Sequence, residues 1–171
     1  MTNAVNLAAV GSNANSGGTL ITSGTAVAST SGTSVDFTDI PSWAKRITVM
    51  FSGVSTNGSS NLLVQIGDSG GIENTGYASG AFDPSVATHS TIGFIASPQN
   101  ASGNAWGGAM TLSNLSGNVW VSSGAIATGS GGYFSSFGGA KELSATLDRV
   151  RITTVNGTDT FDAGSINILY E

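Results

Sequence analysis

The chain has 171 residues, of which 39% are hydrophobic and only 9% charged, with five Lys plus Arg against ten Asp plus Glu for a formal net charge of −5. The apolar fraction suffices for one packed domain and excludes a disordered chain, whereas the charge falls far below the roughly 25% of an ordinary soluble domain. The acidic balance argues against nucleic acid or an anionic membrane surface as partner, and the absence of cysteine excludes disulfides, thiolate metal sites and a cysteine nucleophile.

Residues 1–32 are Ala, Asn, Ser, Gly and Thr with few large side chains, a composition that cannot bury enough apolar surface to fold alone. They predict an extended N-terminal arm, either flexible or ordered against another chain, with a weak strand at 18–22 where it docks. The first sixteen residues, MTNAVNLAAVGSNANS, have no basic region and no long apolar run, so they do not read as a secretory signal. Nowhere does the chain offer the ~18 consecutive apolar residues of a membrane-spanning helix.

From residue 33 the pattern changes to short strands separated by glycine-rich turns. Val35 and Phe37 alternate with Asp36 and Thr38, and Ile47, Val49 and Phe51 alternate with Thr48 and Ser52, the period of a half-buried strand. Further strands are predicted at 62–66, 91–96, 109–112, 118–127, 143–154 and 165–170. Within 143–154 the apolar parity switches between Leu147 and Val150, which predicts a bulge near Asp148–Arg149. One turn of helix is expected at 42–45, after Pro41. Many short strands, 25 glycines and no repeat of fixed period together predict an all-β domain over 33–171, an antiparallel β-sandwich or jelly roll.

GDSGG, residues 67–71, matches the string around the nucleophilic serine of chymotrypsin-like proteases. A serine nucleophile needs an imidazole base and a carboxylate to orient it. The chain has a single histidine, His89, after Ser69 rather than before it, so the order His, Asp, Ser of that family is impossible. A triad of Ser69, His89 and Asp68 or Asp83 would be a new arrangement. The plainer reading is a turn leaving the strand LLVQI, with glycines for positive φ and an Asx turn at Asp68.

With so little charge, solubility rests on hydroxyl and amide groups, which suit close packing of many copies or a neutral ligand such as a glycan. Sugar recognition needs exposed rings beside hydrogen-bonding groups. Trp106, in the glycine-rich loop around 100–108, and Tyr133, Phe134 and Phe137, in the glycine-rich loop 129–139, are the candidates for glycan binding; the alternative is that they cover a sheet end or pack between protomers. Trp120 alternates with Val119 and Val121 and reads as core or subunit interface. Asn156, Asp159 and Asp162 have the residue types of a calcium loop, but Asx residues in turns are the commoner use, and His89 has no second histidine with which to share a metal. The acids are scattered singly, with no pair for glycosidase chemistry. No metal, no cofactor and no catalytic residue is therefore expected, and the four sequons, at Asn57, Asn100, Asn114 and Asn156, carry no weight in so Ser/Thr/Asn-rich a chain.

Residues 31–81 carry a specific series: a strand reaching Asp-Ile-Pro, Trp43, the pair Lys45–Arg46 before Ile-Thr-Val-Met-Phe, Ser-Gly-Val-Ser, a strand ending in Gly-Asp, and Thr-Gly-Tyr. The terminal DTFDAGSINILYE completes it. This pattern resembles a domain of phage virion proteins, often at the C-terminal end of tail fibres. The resemblance covers about two fifths of the chain, at its two ends. It implies a non-enzymatic virion protein of tail-fibre or spike type, a homo-oligomer and commonly a trimer, contacting other virion proteins and the host surface, where a glycan is the partner that the neutral composition and the aromatic candidates suit. The alternative it leaves is a capsid decoration protein anchored through residues 1–32.

Overall fold

The structure, a computed structural model, describes residues 21–129 and 132–171. Among them there is no helix, and fourteen strands form two antiparallel sheets, the expected β-sandwich. In chain order the strands are β1 (Thr22–Ser23), β2 (Val27–Ala28), β3 (Val35–Phe37), β4 (Arg46–Thr56), β5 (Leu62–Asp68), β6 (Gly71–Ile72), β7 (Ala78–Phe82), β8 (Ala87–Ser90), β9 (Phe94–Ile95), β10 (Trp106–Ser116), β11 (Val119–Thr128), β12 (Phe134–Glu142), β13 (Leu147–Thr154) and β14 (Phe161–Tyr170).

The larger sheet runs β1-β14-β4-β10-β11-β12-β7-β8, with β2 also on β14. The smaller runs β3-β13-β5-β6, with β9 also on β5. Alternation decides which side chains meet between the sheets. Ile47, Val49 and Phe51 of β4, Met110 and Leu112 of β10, and Trp120 and Ile126 of β11 are buried from one side; Val150 and Ile152 of β13 are buried from the other. Strand β5 is buried along its whole length, as befits a central strand whose residues read as a continuous apolar run. The segment from β8 to β9 crosses from the large sheet to the small one, and Phe94 packs edge-on against Tyr77 with ring centroids 5.0 Å apart.

The parity switch at 147–150 is a bulge: Leu147 pairs with Asp68 and Arg149 with Gly67, leaving Asp148 unopposed. Pro41 to Ala44 is a β-turn closed by Ala44 N–H donating to Pro41 O at 2.9 Å, not the expected turn of helix. The predicted strand 91–96 shrinks to Phe94–Ile95, and 143–154 starts only at Leu147.

Of the expected arm, residues 1–32, the structure describes 21–32. Residues 21–32 lie against the chain's own sandwich: β1 and β2 pair with β14, Gly24 N–H donates to Ile168 O at 2.8 Å, and buried Ser29 donates its N–H to Gly164 O at 3.0 Å and its Oγ–H to Ala163 O at 2.9 Å. Thr22 begins β1, so most of the strand predicted at 18–22, like the rest of 1–20, lies outside the described residues.

Candidate functional site

The four aromatic residues expected in exposed loops divide into two pairs. Trp106 opens β10 and is 1% exposed, and its indole N–H donates to Asn100 Oδ1 at 2.9 Å while Asn100 Nδ2 donates to Ser60 O at 3.0 Å. It plugs one end of the core and cannot stack on a sugar. Phe137 is likewise buried, at 8% exposure, because it faces inward on β12 opposite Gly124. A Cβ on Gly124 would lie 2.8 Å from Phe137 Cε2, so the missing side chain is what makes room for the ring. Tyr133 and Phe134 stay at the surface, Phe134 with 53% exposure at the start of β12.

Phe134 belongs to a larger feature, the outer face of the nine-stranded sheet. Cross-strand partners share a face, so the register fixes which residues lie there. On β8, β7 and β12 these are Ala87 and His89; Ala78, Gly80 and Phe82; and Phe134, Ser136, Gly138, Ala140 and Glu142. On β11, β10 and β4 the same face continues through Val121, Ser123, Ala125 and Ala127, then Ala109, Thr111 and Ser113, then Met50, Thr48 and Arg46. From β4 to β8 the charged side chains of this face occur only at one end, at Glu142 and at Arg46 with its partner Glu171. Its middle is small and neutral.

Phe82 was not anticipated as a site residue. It is 54% exposed and sits directly opposite Ser136, two residues along the same face from Phe134. Beside it Gly80 pairs with Gly138 on one side and with exposed His89 on the other. Two adjacent positions without side chains leave an open trough of about 400 Å³ whose lining includes Gly80, Phe82, Ala87, Ser136 and Gly138. Two other depressions lie elsewhere. One of about 210 Å³ is lined by Ile21, Thr48 and the Arg46–Glu171 ion pair, and one of about 290 Å³ on the small sheet is lined by Gln65, Arg151, Thr153 and Asn156. Neither contains Phe82, Phe134 or Tyr133.

A buried polar cluster closes one end of the sandwich. The ammonium of Lys141, 6% exposed, is ion-paired with Glu73, lies 5.6 Å from the centroid of the Tyr77 ring and donates to Glu142 O at 2.6 Å. Glu73 Oε1 also accepts from Ser144 N at 2.7 Å, and Ser144 Oγ–H donates to Asp68 Oδ2 at 2.7 Å. Burial opposes ionisation of Glu73, but the bonds from Lys141 and Ser144 outweigh it and lower its pKa. Burial pushes the Tyr77 phenol up; its hydroxyl accepts from Ile66 N at 2.8 Å and reaches Glu73 O at 2.9 Å. All these groups are engaged with one another, and the cluster ties the two sheets together.

Ser69 lies at the exposed tip of the β5–β6 hairpin in the small sheet, and His89 on edge strand β8 of the large one. Neither carboxylate orients the imidazole. Asp68 Oδ1 accepts from Gly70 N at 2.7 Å, the expected Asx turn, and its Oδ2 is taken by Ser144. Asp83 Oδ1 accepts from Ser85 N, Ser85 Oγ and Val86 N, and Oδ2 from Gln99 Nε2 at 2.6 Å. The Asx residues of 156–162 are equally occupied: Asp159 accepts from Ser60 N at 2.8 Å and Asn156 Nδ2 at 2.6 Å, and Asp162 from Ser55 Oγ. Among the described residues no three of His, Asp and Glu gather as metal ligands.

Residues near 43–46 and 170–171, far apart in the chain, converge in space. Trp43 packs against Tyr170 with ring centroids 5.6 Å apart. Lys45 N–H and Arg46 N–H both donate to Glu171 O, at 2.6 and 2.9 Å, and the Arg46 guanidinium is ion-paired with the Glu171 carboxylate. Comparison of the chain with family models, curated proteins and solved structures finds no match.

Proposed function

We propose that the chain is a non-enzymatic structural protein of a phage particle, a tail-fibre or spike-type β-sandwich displayed in several copies, as a trimer, and contacting the host surface. The observation that carries this reading is the outer face of the nine-stranded sheet. The solvated face of an antiparallel sheet normally carries polar and charged side chains. From β4 to β8 Ala, Gly, Ser, Thr and Val dominate it, with charge confined to Glu142 and the Arg46–Glu171 pair at one end. Such a face lets neighbouring copies or a neutral surface approach without charge repulsion or the cost of stripping water from ions. Further support comes from the corner made by Trp43, Arg46, Tyr170 and Glu171, in which the separate stretches of the resemblance become one packed unit.

The test is cryo-electron microscopy of the phage particle at a resolution that traces this chain. Threefold density at the tail tip or fibre end is the expected outcome. Density on the capsid lattice would replace it with a capsid decoration protein, and no density anywhere on the particle would reject both.

A further inference from the structure

We propose that the trough at Gly80 and Gly138, walled by Phe82 and extended along the same face by the exposed ring of Phe134, is the binding site for a neutral glycan. The inference rests on the host-contact reading above and gives it a ligand class and a location.

Three observations carry it. The first is the pair of exposed rings. A side chain as large as Phe is ordinarily kept from water, yet Phe82 and Phe134 are each more than half exposed. They are diagonal neighbours, Phe82 opposite Ser136 and Phe134 two residues before it, a relation that sets such positions about 7–8 Å apart. That spacing gives a platform of the size of a sugar ring or two, and the apolar C–H face of a hexose stacks on such a platform.

The second is that the fold does not demand glycine at position 80 of the trough's floor, whereas Gly138 is held more tightly. Gly80 has no left-handed φ, and a Cβ there would meet only Thr88 O at 3.6 Å, an ordinary contact; at Gly138 the nearest atom is Ser122 O at 3.3 Å. Inward-facing Gly124 differs, since a Cβ there would lie 2.3 Å from Ala109 O. What the glycine at 80 does is keep the floor low between Phe82 and His89.

The third is charge. Of the five cations, Arg46, Lys141, Arg149 and Arg151 are ion-paired with Glu171, Glu73, Asp148 and Asp36, and the fifth, Lys45, adjoins Arg46 at the opposite end of the sheet. No cation serves the trough, so an anionic sugar has no counter-charge there. Ser136 and His89 supply hydrogen-bonding groups to hydroxyls. A peptide strand is disfavoured, because β7 and β12 are paired with each other and offer it no free backbone groups on this face.

The full chain is tested on a printed array of neutral glucose-, galactose- and N-acetylhexosamine-containing oligosaccharides with sialylated counterparts, beside wild-type-like melting as a check of folding. Neutral glycans are expected to bind, with binding lowered about ten-fold or more by Phe82→Ala and abolished by Gly80→Thr, which fills the floor. If Gly80→Thr fails to fold, Phe134→Ala, at an exposed ring, takes its place. No neutral glycan bound, a preference for sialylated ones, or binding that survives both Phe82→Ala and the filled floor would overturn the assignment. So would a wild-type oligomer that Gly80→Thr dissociates, which would give the trough to a second copy. Labelling of host cells by the fluorescent protein is scored separately: labelling unaffected by Phe82→Ala sinks the trough and leaves host contact standing, whereas array binding without host labelling sinks host contact and leaves the trough.

Discussion

Lys141 and Glu73 form an ion pair between the two halves of the sandwich, with the ammonium only 6% exposed and the carboxylate partly open to water. That asymmetry decides what each substitution does. Glu73→Gln strands a buried ammonium and is expected to destabilise the protein by about 3 kcal/mol, the lower end of the range for breaking a buried pair. Lys141→Met removes the buried charge and leaves Glu73 with water and its bond from Ser144 N–H, so it is expected to cost less. Urea unfolding of the two variants checks the order; an equal or reversed cost would show that the pair is not buried in solution.

The sheets were legible in the sequence wherever large β-branched or aromatic residues alternate, as at Ile47, Val49 and Phe51, and the bulge at Asp148 was legible from a single change of parity. Strands β7, β8 and β12 were not. Ala78–Phe82, Ala87–Ser90 and Phe134–Glu142 are mostly Ala, Gly, Ser and Thr, with no alternation to read, and their strand character comes from pairing with neighbours rather than from their own preferences. The candidate site inherits that blindness. Phe82 gains its place beside Ser136 only through the β7–β12 register, and Phe137 is buried only because that register of β11 and β12 brings Gly124 opposite it. Trp106 misleads for a related reason: the glycines on both sides of it, Gly103, Gly107 and Gly108, read as a loop, whereas the strand begins at the tryptophan itself.

Asp83 predicts an acid limb in stability. Burial raises its pKa, but the hydrogen bonds from Ser85, Val86 and Gln99 more than offset this and hold the folded value at about 2, against 3.8 for the free side chain. A group depressed by folding stabilises above its unfolded pKa and loses that contribution as pH falls through the folded one. Stability should therefore be full at pH 5 and decline between about pH 4 and 2. Asp83→Asn should be less stable at neutral pH and show a flatter decline over that window in denaturation followed by fluorescence. A variant with the wild-type slope would assign the acid limb to other carboxylates, with Asp68 and Glu73 next in line because both are also lowered.

Glycines on the two faces of the large sheet should respond oppositely to alanine. At Gly124 the new methyl would lie 2.3 Å from Ala109 O and 2.8 Å from Phe137 Cε2, and the overpacking is expected to cost about 3 kcal/mol. At Gly80 the methyl meets nothing closer than 3.6 Å, and the less flexible unfolded chain should leave stability unchanged or raise it by up to about 1 kcal/mol. Thermal melts of Gly124→Ala and Gly80→Ala measure the contrast. A large loss at Gly80 would mean that its glycine serves the fold.

The docking of residues 21–32 on β14 is testable in the isolated protein by amide hydrogen exchange. Ser29 is fully buried, with its N–H on Gly164 O and its hydroxyl on Ala163 O, and Gly24 N–H is held by Ile168 O. Exchange at such amides requires the segment to lift from the sheet, so Gly24 and Ser29 should exchange far more slowly than a free chain. Ser29→Ala leaves Ala163 O without that donor and should cost about 1 kcal/mol while speeding exchange at both positions together. Protection at Ser29 alone would mean that the β2 contact forms and the β1 contact does not. Free exchange at both in the isolated protein, with protection appearing only in the assembled particle, would make the segment a strap that orders on another chain and would remove β1 and β2 from the sandwich.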